Sequence, residues 1–192
     1  AFDGLKQAAK TIGGVQTQNV GTLCGNICNA SPAADSVPNL LALEAEVQLQ
    51  SVRETRMLPL EKFILGNRKT AKKEDELISG IFIPRPAKKA RANFEKLGTR
   101  AYLVISIVMV GVVAELNERD EILNLKIAVG ACSPVAQRLR LLEQEALGQK
   151  IKSIEIIPAH FESLEPIDDI RATADYRKKV VPELLLRAIK GV

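Results

Sequence analysis

A chain of 192 residues, 46% of them hydrophobic, is long enough to bury one substantial core or two small ones, and its composition does not read as disordered. Its net charge of +4 is spread over separate pairs (Lys72-Lys73, Lys88-Lys89, Lys178-Lys179) and only 4% of its residues are aromatic, so the field and the stacking surface of a nucleic-acid binder are both missing. The longest apolar run, Ala101 to Leu116, is broken by Ser106 and Gly111 and is too short and too β-branched for a membrane span, and the opening Ala-Phe-Asp has neither an initiating Met nor the pattern of a secretory signal.

In chain order, Phe2, Leu5, Ala8, Ala9 and Ile12 fall on one face and predict a helix over 2–12, stopped by Gly13-Gly14. Val15 to Asn19 is short and mixed and leads into a turn-rich stretch, Gly21 to Asn26. Helical spacing resumes over Asp35 to Ala45, and Glu46 to Val52 alternates like a half-buried strand, with a turn at Arg53 to Thr55. Pro59 suits the first turn of a short helix, Leu60 to Ile64, which Gly66 ends. Leu77 to Ile83 is a second strand, closed by Pro84-Arg-Pro86, where neither helix nor central sheet can continue. This places a domain boundary at residue 86, dividing the chain into 1–86 and 87–192. Beyond it, Ala92 to Lys96, Ser106 to Leu116 and Ile122 to Ala131 predict a three-stranded meander with a hairpin turn at Asn117 to Glu121. Helices are predicted over Val135 to Leu147, around Ile157 to Ser163, and over Thr173 to Ile189. Strands followed by helices imply an α+β second domain.

The three cysteines, Cys24, Cys28 and Cys132, are an odd number, which argues against a disulfide framework and for a reducing, cytoplasmic setting. Zinc and iron–sulfur sites need three or four ligands; the single histidine, His160, has no cysteine pair beside it, and no metal site is read. His160 has no Ser, Cys or Asp partner in sequence for nucleophilic chemistry and is read as a surface or partner-contact residue.

The stretch with chemical content is Asn19-Val-Gly-Thr-Leu-Cys-Gly-Asn-Ile-Cys-Asn-Ala-Ser-Pro-Ala-Ala-Asp35. Gly21 and Gly25 let backbone N–H groups approach an anion, Thr22 and Asn26 add side-chain donors, a helix starting just after presents its positive end, and Asp35 offers an acceptor for a ribose hydroxyl. The same residues are equally compatible with a plain tight turn followed by a helix capped by Asp35. Neither a dinucleotide fingerprint nor a phosphate-binding P-loop is present.

The run Gly21-Thr-Leu-Cys-Gly-Asn-Ile-Cys-Asn-Ala-Ser-Pro-Ala-Ala-Asp-Ser36 resembles the second FAD-binding motif, Gly-Thr-x-Gly-Gly-Asn-x-x-x-Ala-Ser-Pro-x-(Ala/Ser)-Asp, of the flavoprotein (medium) subunit of xanthine dehydrogenases, carbon monoxide dehydrogenases and related molybdenum hydroxylases. Leu58 to Gly66, Glu76 to Pro84, Phe94 to Arg100 and Ile170 to Arg177 fit the same family, so the resemblance covers nearly the whole chain. It implies an α+β fold: the second half of a PCMH-type FAD-binding domain, followed by a three-stranded antiparallel sheet with three helices like the carboxy-terminal domain of the CO dehydrogenase flavoprotein.

Carried over, Thr22, Gly25 and Asn26 would hold the FAD diphosphate, Asp35 would bind the adenosine part, Ile78 would touch the cofactor from its strand, and Lys96 would lie near the isoalloxazine. A surface strand Lys96 paired with Glu95 or a neighbour is the structural alternative, and Arg100 is read as structural. Cys24 stands where the family has the first of two glycines, which implies a backbone less free to adopt positive φ. The family has an earlier subdomain with a second glycine-rich loop, and no residues here correspond to it. The resemblance implies FAD on this chain, with molybdopterin and [2Fe–2S] clusters on partner subunits and NAD or another acceptor receiving the electrons. Two other readings remain: an assembly fragment or orphan subunit that no longer holds FAD, and a stand-alone FAD-dependent alcohol oxidase.

Overall fold

The computed structural model describes residues 1–192 and contains seven helices and nine strands. The amino-terminal part opens with α1 (Asp3–Thr11), α2 (Val15–Val20), α3 (Leu23–Asn29) and α4 (Ser36–Ala42). It continues through β1 (Glu46–Gln50), β2 (Thr55–Pro59), α5 (Leu60–Phe63), the short pair β3 (Ile64–Gly66) and β4 (Lys69–Thr70), and β5 (Leu77–Phe82). Strands β2, β1 and β5 form an antiparallel sheet in that order, with Val47 opposite Leu58 and Ile81, and Leu49 opposite Arg56 and Ile78. Alternation puts Val47 and Leu49 inward, fully buried with Leu40, Leu60, Phe63 and Ile27.

The second part is built on β6 (Arg91–Leu97), β7 (Val108–Leu116), β8 (Ile122–Gly130) and β9 (Gln137–Arg138), an antiparallel sheet in chain order. Then come α6 (Arg140–Glu145), two 3₁₀ turns (Ile151–Ser153 and Pro158–Phe161) and α7 (Ala174–Lys190), which Thr173 caps by accepting the Tyr176 N–H. Val108, Val110, Val112 and Ala114 of β7 face α7, where Val181, Leu184, Leu185, Ala188 and Ile189 complete the core. The other face of β7 is covered too. Met109 packs with Ala8 of α1 and Phe94 of β6, and Gly111 lies against the α4 backbone. Covered on both sides, β7 reads as a continuous apolar run rather than an alternating one.

Packing therefore crosses residue 86 along a broad seam. The Ala131 N–H donates to the Pro32 carbonyl at 2.9 Å, the Phe94 N–H donates to Gln7 Oε1 at 2.8 Å, and Glu44 pairs with both Lys126 and Arg138 at 3.0 Å. Glu44 is held below its ordinary pKa: partial burial opposes ionisation, and hydrogen bonds from Lys126 and Arg138 outweigh it.

Several local expectations are corrected. Val15 to Asn19, expected only as a short mixed stretch, is helical, and strands β2 to β4 form where no strand was expected, β2 beginning at Thr55 of the expected turn and β3 at Ile64 of the expected helix. The sheet gains a fourth strand, because Gln137 and Arg138 pair with Val129 and Ala128; this shortens the helix expected over Val135 to Leu147 to Arg140–Glu145. The helix around Ile157 to Ser163 is a single 3₁₀ turn. His160 is 6% exposed rather than on the surface. Its Nδ1 accepts the Ile157 N–H at 3.2 Å, which leaves the ring proton on Nε2, 2.8 Å from Glu145 Oε2. No helix is long and apolar enough to cross a membrane.

Candidate functional site

The motif at Gly21 to Asp35 folds differently from a plain glycine turn. Gly21 ends α2, its N–H donating to the Thr17 carbonyl at 2.7 Å, and α3 starts inside the motif at Leu23. Thr22 is the N-cap: its Oγ1 accepts the Gly25 N–H at 2.9 Å, and its carbonyl accepts the Asn26 N–H at 3.0 Å. Gly25 is required by close approach, since a Cβ there would lie 2.9 Å from Thr22 Oγ1 and displace the cap. The N–H groups of Leu23 and Cys24, at the first two helical positions, have no protein acceptor. Cys24 is itself helical and does not have positive φ, so the feared loss of backbone freedom at this position does not arise. Asn26 Oδ1 accepts from Ser36 Oγ at 2.5 Å, leaving the Asn26 amide free to donate.

Thr22, Leu23, Asn26 and Ser36 line a cleft of about 520 Å³ with Leu5, Ala9 and Lys10 of α1 and Thr17 and Gln18 of α2. Sequence reasoning missed Lys10, Thr17 and Gln18. Lys10 was legible as a polar position on α1, whereas Thr17 and Gln18 depend on an α2 that the spacing did not announce. Gln18 Nε2 donates to the Lys10 carbonyl at 3.1 Å and fastens α2 to the end of α1. Helix α2 buries no residue, and Val15 and Val20 stand 68% and 80% exposed.

The other expected residues are placed differently. Asp35 does not cap α4 through its side chain, and neither of its oxygens is free: Oδ2 is 2.5 Å from Lys96 Nζ and Oδ1 accepts from Ser106 Oγ at 2.5 Å. Lys96 therefore pairs with Asp35 and not with Glu95. Its ammonium also approaches the Thr11 carbonyl at 3.4 Å, and its side chain lines a second cleft of about 420 Å³ with Gln7, Thr11, Phe94 and Gly98. Helix α1 forms a wall of both clefts. Ile78 lies in neither; it is half-buried on β5, which α3 packs against, at the margin of the apolar cluster that includes Leu23. Arg100 lines the second cleft as well, and its Nε donates to the Leu103 carbonyl at 3.0 Å in the loop before β7.

Residues 1–86 match the family model of the FAD binding domain in molybdopterin dehydrogenase, and residues 93–192 match that of the CO dehydrogenase flavoprotein C-terminal domain. The chain belongs to the FAD-binding medium-subunit family of the molybdenum hydroxylases. Among relatives of this family, it is 30% identical over 98% of its length to the glyceraldehyde dehydrogenase medium chain of Sulfolobus acidocaldarius, covering 67% of that protein. It is 28% identical to the putative xanthine dehydrogenase FAD-binding subunit XdhB of Escherichia coli, over 96% of this chain and 64% of the relative. A solved carbon monoxide dehydrogenase from Hydrogenophaga pseudoflava superposes with a TM-score of 0.88 at 27% identity, covering 98% of this chain and 66% of that one. The chain thus spans about two thirds of the length of these relatives. The family's cofactor is FAD.

Proposed function

We propose that this chain is the flavin-holding part of a molybdenum hydroxylase, working with an iron–sulfur subunit and a molybdopterin subunit in a reducing, cytoplasmic compartment. One observation carries the reading: Thr22 and Asn26 of the matched motif line a cleft beside two helix N–H groups that no protein acceptor uses. These residues fit an anionic cofactor. The Asn26 amide and the amides of Leu23 and Cys24 would hold the diphosphate region, with Gly25 keeping the cap in place and Lys10 adding a positive charge. Lys96, in the second cleft, is assigned to the isoalloxazine end, and Ile78 to an apolar contact. FAD, when bound, supplies a two-electron carrier between the clusters and NAD or another acceptor. The chain contributes binding, orientation and electrostatics, and substrate choice rests with the molybdenum subunit.

The relatives' extra third supports a specific form of this proposal, in which a further polypeptide segment completes the cofactor cleft. The uncovered α2 and the outer edge of β5, which no strand pairs, are surfaces that such a segment would cover in this reading. A second reading, a non-catalytic assembly fragment that holds no FAD, rests on the same shortfall. The test is visible flavin absorbance retained after incubation with FAD and desalting, by the chain alone and with an upstream polypeptide that supplies the family's earlier subdomain. Retention in either sample supports the flavin reading. Absence in both leaves the assembly fragment.

A further inference from the structure

Three side chains from separate elements meet in a polar chain whose internal pairing the family motif does not imply. Lys96 comes from β6, Asp35 from the end of the loop entering α4, and Ser106 from the loop entering β7, and their polar atoms meet in a chain from Ser106 Oγ to Asp35 to Lys96 Nζ. The Lys96 and Asp35 side chains are 10% and 6% exposed, and Ser106 is 0% exposed. A lysine on an exposed strand keeps its rotamer freedom and its water. This one has given up most of both, and its ammonium is held in one place by a carboxylate that is itself held from behind. The location gives the arrangement a purpose: Lys96 lines the second cleft, while Ser36, next to Asp35, lines the first.

We propose that Asp35 and Ser106 are positioning residues for Lys96. Asp35 anchors the ammonium in the wall of the second cleft, and Ser106 orients the carboxylate that does so. This rests on the flavin reading above, in which Lys96 serves the reacting end of the cofactor. It gives Asp35 a role other than ribose binding, because both of its oxygens already accept from protein donors, Oδ2 from Lys96 and Oδ1 from Ser106. Asp35 then acts on the cofactor through the charge it places and balances. Ser106, uncharged and out of solvent, acts only through Asp35.

The two assignments separate by experiment in the flavin-loaded protein, taken with the upstream polypeptide if that is what retains FAD. FAD affinity and the reduction potential of the bound flavin are measured for wild type, Asp35→Asn, Ser106→Ala, Lys96→Met and the Ser106→Ala/Lys96→Met double variant. Asp35→Asn is expected to leave FAD affinity essentially unchanged. It should raise the potential, because a counter-charge is removed from beside a confined cation, by about tenfold in the two-electron equilibrium, or ~30 mV. Ser106→Ala is expected to shift the potential less, and to have no effect once Lys96 is Met. Loss of FAD affinity in Asp35→Asn without a change in potential would make Asp35 a direct cofactor ligand and overturn the proposal. So would a Ser106→Ala effect that persists without Lys96, or unchanged potentials in every variant that folds. A wild type that retains no flavin overturns the preceding reading, and this one with it.

Discussion

Gly111 in β7 faces the backbone of Asn39 in α4, so closely that a Cβ on residue 111 would lie 2.7 Å from the Asn39 nitrogen. Backbone cannot swing aside as a side chain can. Gly111→Ala is therefore expected to lower stability by about 1–3 kcal/mol, the usual range for overpacking a fitted interior. Thermal unfolding of the single variant reads this directly, and a midpoint equal to wild type would mean that α4 does not rest on β7 as described.

The same contact joins residues matched by two separate family models, and it is reinforced by the Ala131 to Pro32 and Phe94 to Gln7 hydrogen bonds and the buried Asp35–Lys96 pair. These contacts across residue 86 bind the two matched stretches into one packed body. Calorimetry of the whole chain is expected to show one transition whose calorimetric and van't Hoff enthalpies agree. Two resolved transitions would show that the halves fold independently.

Legibility in the sequence followed the strength of the local signal. Helix α7 and the β7–β8 hairpin were plain because each is long, with a marked apolar pattern and clear punctuation at Thr173 or Asn117 to Glu121. Strand β9 was not: Gln137 and Arg138 carry no strand propensity and are extended only because β8 offers them an edge. Helix α2 is short, wholly exposed and mixed in composition, so nothing in its spacing marks it. At the site, the motif located Thr22 and Asn26, but the partnership of Asp35 with Lys96 and Ser106 spans 61 and 71 residues of sequence and exists only through packing at the seam.

Glu76, 2% exposed, closes the turn before β5. Its Oε1 and Oε2 take Arg56 at 2.6 and 2.9 Å, and Oε2 also accepts the Lys73 N–H at 2.6 Å. The Arg56 hydrogen bond leads the effects that bring its pKa down from 4.5 to about 2, against the opposing effect of burial. Because the folded-state value is depressed, the stability contributed by this carboxylate is full above about pH 4.5 and is lost as pH falls toward 2. Glu76→Gln is expected to melt below wild type at neutral pH, with the gap closing through that acid window. A gap independent of pH would assign the loss to packing rather than to ionisation.

Strand β5, Leu77-Ile-Ser-Gly-Ile-Phe82, pairs with β1 on one side and with nothing on the other. It carries no charge and no proline across its length, and Leu77 and Phe82 are 74% and 53% exposed, although edge strands are ordinarily guarded by such residues. An extended segment from the polypeptide that the longer relatives carry would satisfy this edge by adding a strand. In the chain alone, amides of 77–82 are expected to exchange hydrogen faster than those of β1, which has a partner on both sides. Adding the upstream polypeptide should slow exchange across β5 while leaving β1 unchanged. If β5 is as protected as β1 in the dilute chain by itself, the edge is already closed, and a completing segment docks elsewhere on the chain.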